Sequence, residues 1–246
     1  MAATGDRAWI PYCGAAPEPS EWLARWNFDP VVLALLVGAA LYGAMSPASG
    51  RQKASLGLAI ALGFGLFVSP FCALTSALFS ARVVHHVVLG AIVAPLLVIA
   101  FRPSRFGSLA VWTAVQALVF WAWHAPPLYG WALSNDGAYW LMQASLLGSA
   151  LGFWNAVRLA PIPGAIVALL ATMVQMGLLG ALLTFAGSPL YAPHFATTAA
   201  WGLGPLEDQQ LAGLIMWAPA AALYLAAALA LLARWFGREG GKAAAR

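Results

Sequence analysis

The residues of this 246-residue sequence best able to do chemistry are imidazoles and thioethers. The histidines are His85, His86, His124 and His194, and Met142, Met173, Met176 and Met216 share the later part of the chain. Both groups donate to soft metal ions such as Cu(I). Cys13 and Cys72 allow a disulfide in an oxidising compartment, or two free thiols of the same soft-donor kind. Neighbours on a helix point about 100° apart, so at most one of His85 and His86 faces a given site. Met173 and Met176 share a face, and packing between helices outweighs ligation for them, because Met is a common gap-filler. For His86 and His124 a packing role and a functional role weigh evenly. No Ser–His–carboxylate set stands out among the many serines, so no enzyme chemistry is expected.

These residues must be positioned by membrane helices. The chain is 62% hydrophobic and 8% charged, whereas soluble domains carry about 25% charged residues. That excludes a soluble enzyme, and the hydrophobicity excludes disorder. Apolar runs fall at 31–45, 55–78, 83–101, 108–126, 138–158, 164–186 and 208–236. A span takes roughly 20 residues, and runs so uniformly apolar suit helices, not barrel strands. The expected architecture is an all-α polytopic bundle of seven spans. Residues 1–29 form an extramembrane lead-in, 30–237 the membrane domain and 238–246 a cytoplasmic tail. The first residues lack the basic start and apolar core of a signal peptide. Pro70, Pro95 and Pro219 fall within spans and predict kinks, with neighbouring helices satisfying the carbonyls they free.

Placing the N-terminus outside puts Arg51, Lys53, Arg102, Arg105, Arg158, Arg234, Arg238, Lys242 and Arg246 inside, and only Arg7, Arg25 and Arg82 outside. The positive-inside rule therefore predicts an outer N-terminus and a cytoplasmic C-terminus. The acidic residues divide the other way, with Asp6, Glu18, Glu21, Asp29, Asp136, Glu207 and Asp208 outside and Glu239 inside. All four histidines and both cysteines then belong to the outer side. No charged residue is expected mid-span, which argues against an ion-coupled pump. The only lysines, Lys53 and Lys242, lie in inner segments, so no lysine is available to hold retinal in the last span. The cations form no groove interleaved with aromatics, so nucleic acid is not a partner. Glu207 and Asp208 suit the start of the last helix. Gln209 and Gln210 should face partners inside the bundle, as helix glue or as support for a ligand.

Several blocks carry a resemblance. Trp26-Asn27-Phe28-Asp29-Pro30 leads into span one, Phe79-Ser80-Ala81 precedes the histidines of span three, and Trp123-His124-Ala125-Pro126-Pro127-Leu128-Tyr129 ends span four. Gly180 to Phe185 ends span six, and Pro205-Leu206-Glu207-Asp208-Gln209-Gln210 opens span seven with Gly213, Met216 and Trp217 following. From about Trp26 to Trp235 the sequence resembles the multi-span CtaG family of cytochrome c oxidase assembly factors. The resemblance implies a multi-pass protein of the bacterial inner membrane that helps mature a haem–copper oxidase, with an oxidase subunit as partner and copper as the implied cofactor or cargo. Family members carry His-x-x-x-His at the start of span three; the second His is His86 here and the first is Arg82. A further family His, early in span five, corresponds to Gln143. The implied ligand set is His86, His124 and Asp208, to which Met142 is added as a nearby thioether. Arg82, His85, Gln143, Gln209 and Gln210 are expected as supporting or partner-contacting neighbours.

Three functions remain: an assembly factor that holds or passes copper, a metal-free scaffold for a nascent oxidase subunit, and a small-solute or metal carrier. All three rest on the topology, which is directly testable. A C-terminal tag should be reached only from the cytoplasmic side of sealed cells; labelling from outside would overturn the shared side of the histidines.

Overall fold

The computed structural model describes the backbone of residues 10–244 and the side chains of residues 10–237. Asp6, Arg7 and Arg246 lie outside the described residues, as do the side chains of Arg238, Glu239 and Lys242. Every regular element described is helical. Helix α1 spans Pro30–Met45, and its start is set locally. The Asp29 carboxylate accepts from the Val31 and Val32 amides at 2.7 and 3.1 Å, and Pro30 fills the first position, where no N–H is needed. Helix α2 (Gly50–Phe67) opens on a reciprocal cap between Ser49 and Gln52. After it come α3 (Phe71–Ala77), α4 (Phe79–Val88) and α5 (Ala94–Phe101). Then follow α6 (Leu109–His124), α7 (Pro126–Ser134), α8 (Asp136–Leu159), α9 (Ile162–Thr184), α10 (Pro205–Ile215) and α11 (Ala221–Ala244).

Each of the seven apolar runs falls on helix. Three continuous helices, Phe79–Phe101, Ile162–Thr184 and Pro205–Gly237, are long and apolar enough to cross a bilayer, and the α2–α3 pair makes a fourth, broken crossing. Helices α1 and α6 are apolar but have 16 residues each. Large apolar side chains such as Leu35, Leu118, Val174, Leu182 and Leu229 point outward and exposed. An apolar surface of this extent matches lipid and not water.

The three internal prolines behave differently from one another. Pro70 bends the chain by 45° between α2 and α3. Pro95 and Pro219 instead accompany π turns, Leu89–Val93 and Met216–Ala220, and the helices run on. A π turn pairs each N–H with the carbonyl five residues back, and the Ala94 amide bonds Leu89 in this way. In that register Pro95, which has no N–H, leaves the Gly90 carbonyl without a donor. The Trp154 indole of α8 donates to it at 2.9 Å. A neighbouring helix thus supplies the missing bond.

Helix α9 packs against α6, α10 and α11, α8 against α5, α6 and α7, and α4 against α3 and α10. Where α9 meets α10, two glycines permit the approach. A Cβ on Gly180 would lie 2.7 Å from the Gly213 carbonyl oxygen, and one on Gly213 would lie 2.5 Å from that of Gly180. Small residues at such crossings let backbones touch. Cys13 and Cys72 are joined as a disulfide with Cα atoms 5.3 Å apart, tying the lead-in to α3.

Removing the Trp154 donor should leave the Gly90 carbonyl buried and unpaired, at about 1–3 kcal/mol. Trp154→Phe is expected to lower the unfolding midpoint in detergent accordingly, and an unchanged midpoint would show that the carbonyl does not need the indole.

Candidate functional site

Helix α4 follows α3 after a single extended residue, Leu78, whose side chain offers no cap. Its first amides are therefore buried orphans. Asp208, in the first turn of α10, supplies the missing acceptor. Its carboxylate takes the Phe79 amide at 2.6 Å, the Ser80 amide at 3.2 Å and the Ser80 hydroxyl. A carboxylate at a helix N-terminus is favoured by both hydrogen bonding and the helix dipole. Sequence position alone suggests that Asp208 serves its own helix, but the helix it caps is α4. Glu207 does act locally, accepting from the Gly204 amide at 2.7 Å. Gln209 is glue: it accepts from the Leu190 amide at 2.7 Å and donates to the Leu183 and Ser188 carbonyls. Gln210 is half-buried and its side chain makes no hydrogen bond among the described residues.

So capped, α4 carries Arg82, His85 and His86 into the bundle. Arg82 and Asp208, both expected on the outer side, are wholly buried. The one-residue connection at Leu78 leaves no loop to expose Arg82, and Asp208 is buried by its docking on the start of α4. The Arg82 guanidinium lies over the Tyr139 ring, 5.3 Å from its centroid, a cation–π contact. None of its three nitrogens has a hydrogen-bond partner among the described residues. His85 sits edge-on to Phe67 at 4.9 Å and stacks on Phe71 at 6.5 Å. Both nitrogens of His85 and of His86, and both amide atoms of Gln143, are also unpartnered there.

His124, at the end of α6, meets His86 edge to face with ring centroids 5.7 Å apart. Its Nδ1 lies 2.7 Å from the Phe120 carbonyl, which can only accept, so Nδ1 carries the proton and Nε2 keeps a bare lone pair. Nε2 has no partner among the described residues. The Tyr191 hydroxyl donates to the His124 carbonyl at 2.7 Å and fixes the backbone there. His194 is committed elsewhere. Its Nδ1 donates to the Ala77 carbonyl at 3.3 Å, and its Nε2 therefore accepts from the Tyr129 hydroxyl at 2.7 Å. Burial pushes the Tyr129 and Tyr191 phenols up, which keeps both as donors.

The implied ligands are thus brought together in part. His86 and His124 meet edge to face, with both nitrogens of His86 and Nε2 of His124 free among the described residues. Asp208 is engaged on α4, and Met142 is buried in the apolar core of α8. No group of three or more His, Cys, Asp and Glu suited to a metal occurs among the described residues. The thioether that borders a cavity with His86 is Met176. That cavity, of about 20 Å³, also reaches Gln116 and Tyr224, which hydrogen-bond each other at 3.2 Å. Spacing gave Met176 a packing role, and nothing in its sequence neighbourhood signals the approach to His86, which only tertiary packing creates. Two neutral imidazoles are donors of the kind that a low-coordinate soft cation takes. They do not fit a four-ligand centre.

Burial, the largest influence, lowers His194 from 6.5 to about 3; the Ala77 bond opposes this and the Arg82 charge adds to it. In the unfolded chain this imidazole protonates first as pH falls, so stability is complete above about pH 6.5 and declines toward about pH 3. The unfolding temperature should therefore fall from about pH 7 to about pH 4, and less steeply in His194→Gln. Equal slopes would show that His194 does not contribute.

The family model described as cytochrome c oxidase caa3 assembly factor matches residues 101–238, more than half of the chain. The match includes His124, Met142, Gln143 and Asp208 but stops short of Arg82, His85 and His86. No curated protein and no solved structure gives a match.

Proposed function

The chain belongs to the cytochrome c oxidase caa3 assembly factor family, and from that premise we propose that it spans the membrane seven times and holds Cu(I) between His86 and His124 as cargo for a nascent oxidase subunit. The observation that carries the reading is a pair of imidazoles set edge to face, with both ring nitrogens of His86 and Nε2 of His124 free of partners among the described residues. The Phe120 bond presets His124 as a neutral donor at Nε2. A backbone carbonyl commonly fixes a metal-binding histidine in this way. Met176, which borders the small cavity beside His86, is a candidate for a soft third donor. Asp208 acts as the positioning residue of α4, and Gln209 fastens α10 to the end of α9. His85, an imidazole with both nitrogens unpartnered among the described residues, lies 5.8 Å from His86 between ring centroids, while Arg82 and Gln143 offer no ligand of the expected kind.

The topology read from the cations supports an outer N-terminus. The Cys13–Cys72 disulfide agrees, because such bonds persist in oxidising compartments. Helices α1 and α6, short for a flat crossing, count among the seven by virtue of their apolar outer faces.

A metal-free scaffold is the second reading, and Arg82 is the observation that favours it. A buried guanidinium one helical turn from His86 raises the electrostatic cost of a second cation.

Copper analysis of the purified full chain, reduced with ascorbate so that the disulfide survives, separates the two. About one Cu(I) per chain is expected, with loss in His86→Ala/His124→Ala. No stoichiometric copper in the parent, or undiminished copper in the double variant, would leave the scaffold. Reduced-minus-oxidised spectra of membranes lacking the gene test the assembly role, and undiminished functional oxidase would overturn it.

A further inference from the structure

At the opposite end of the bundle from the disulfide-tied lead-in, four arginines from four separate segments line one cavity of about 440 Å³. Arg51 lies in the first turn of α2, Arg102 follows the end of α5, Arg158 is in the last turn of α8, and Arg234 lies in α11. We propose that this cavity binds a phosphate-bearing anion, and that the anion is the headgroup of an anionic phospholipid of the surrounding leaflet.

Topological sorting alone accounts for cations on this side of the membrane, but it does not require them to converge. Lys53 and Arg105 satisfy the same rule and do not line the cavity. Four guanidiniums around one space repel one another to the extent that solvent does not screen them, and an anion among them relieves that repulsion. Among the described residues none of the four forms an ion pair; the single pair described is Arg25 with Glu21. Planar guanidinium forks suit phosphate oxygens, which accept paired N–H bonds.

One wall of the cavity is held in place by hydrogen bonds. Arg158 donates to Asn155 at 2.7 Å and to the Pro103 carbonyl at 2.5 Å, and Asn155 donates to the Ser104 carbonyl at 3.0 Å. Together they pin the segment that carries Arg102. Arg102 itself has φ +47°, in the left-handed region, and is the one such non-glycine residue among those described. An arginine in that region is disfavoured by sterics, and strained backbone of this kind tends to be retained where it serves a site. Here it brings the side chain to the cavity wall. The remainder of the wall includes Val98, Ile99 and Val157. A cavity with cations on one part of its lining and aliphatic side chains on another matches an amphiphile better than a free ion. Basic pockets between helices at the cytoplasmic face are the kind of site that receives such headgroups.

Native mass spectrometry of the full chain in mild detergent tests the proposal, with phosphatidylglycerol, phosphatidylcholine of the same acyl chains, and inorganic phosphate as probes. Phosphatidylglycerol adducts should appear at about tenfold lower concentration than phosphatidylcholine adducts. Arg51→Gln/Arg102→Gln/Arg234→Gln should erase the difference, while Lys53→Gln keeps it. If the triple variant does not fold, Arg234→Gln alone should weaken the preference, since that residue is exposed on α11. Retention of inorganic phosphate with no preference between the lipids would overturn the lipid and assign the cavity to a free phosphate. Equal binding of the two lipids without phosphate retention, or an undiminished preference in the folded variants, would overturn the site.

Discussion

One carboxylate decides how the bundle is put together at the end that carries the histidines. The amides that open α4 are buried by the one-residue link from α3, and water cannot reach them. Asp208 meets them from α10, so the two helices, far apart in sequence, are locked at a fixed height and rotation. That lock sets where everything else on α4 points. Phe79, whose amide it holds, stacks on Tyr191 at 3.8 Å and meets Tyr129 edge-on at 5.2 Å. Helix α7 and the segment before α10 thereby close on the same ring. One turn later Arg82 arrives over Tyr139, and another turn brings His86 opposite His124.

The polar groups around this lock fall into two classes. Those at its edge are satisfied: Tyr129 with His194, Tyr191 with the His124 carbonyl, Gln209 with the Leu190 amide. Those in the middle, on Arg82, His85, His86 and Gln143, are not. Each unpaired buried group costs about 1–3 kcal/mol, more when charged.

What could be read from the sequence was whatever depends on neighbours along the chain. Asp29-Pro30 ahead of the first run and the apolar runs themselves mark helix through local physics, and each run falls on helix; the cap between Ser49 and Gln52, ahead of the run at 55, was not read. The expectation that a neighbour would repair the proline at position 95 followed from the same local reasoning, though not the identity of Trp154. Asp208 was legible as important but not as a cap for α4, because its partners lie 128 and 129 residues away. The burial of Arg82 was missed for a related reason. Charge predicts exposure unless the connection is too short to permit it, and Leu78 becomes a single-residue connection only once α3 has broken away at Pro70. The approach of Met176 to His86 and the convergence of the four arginines likewise need the packing of separate helices.

The two π turns have a geometric consequence. An extra residue in one helical turn rotates everything beyond it by about 100° relative to an unbroken α-helix. A helical wheel drawn across 79–101 or 205–237 therefore assigns the second half of each helix to the wrong side. In α4 and α5 the phase slip comes just after the histidines, so the polar stripe that faces the bundle ahead of it is not continued as a stripe behind it. The histidine end and the arginine end of this long helix are thus offset by about 100° from the phases that an unbroken α-helix would give them, which turns each toward different surroundings.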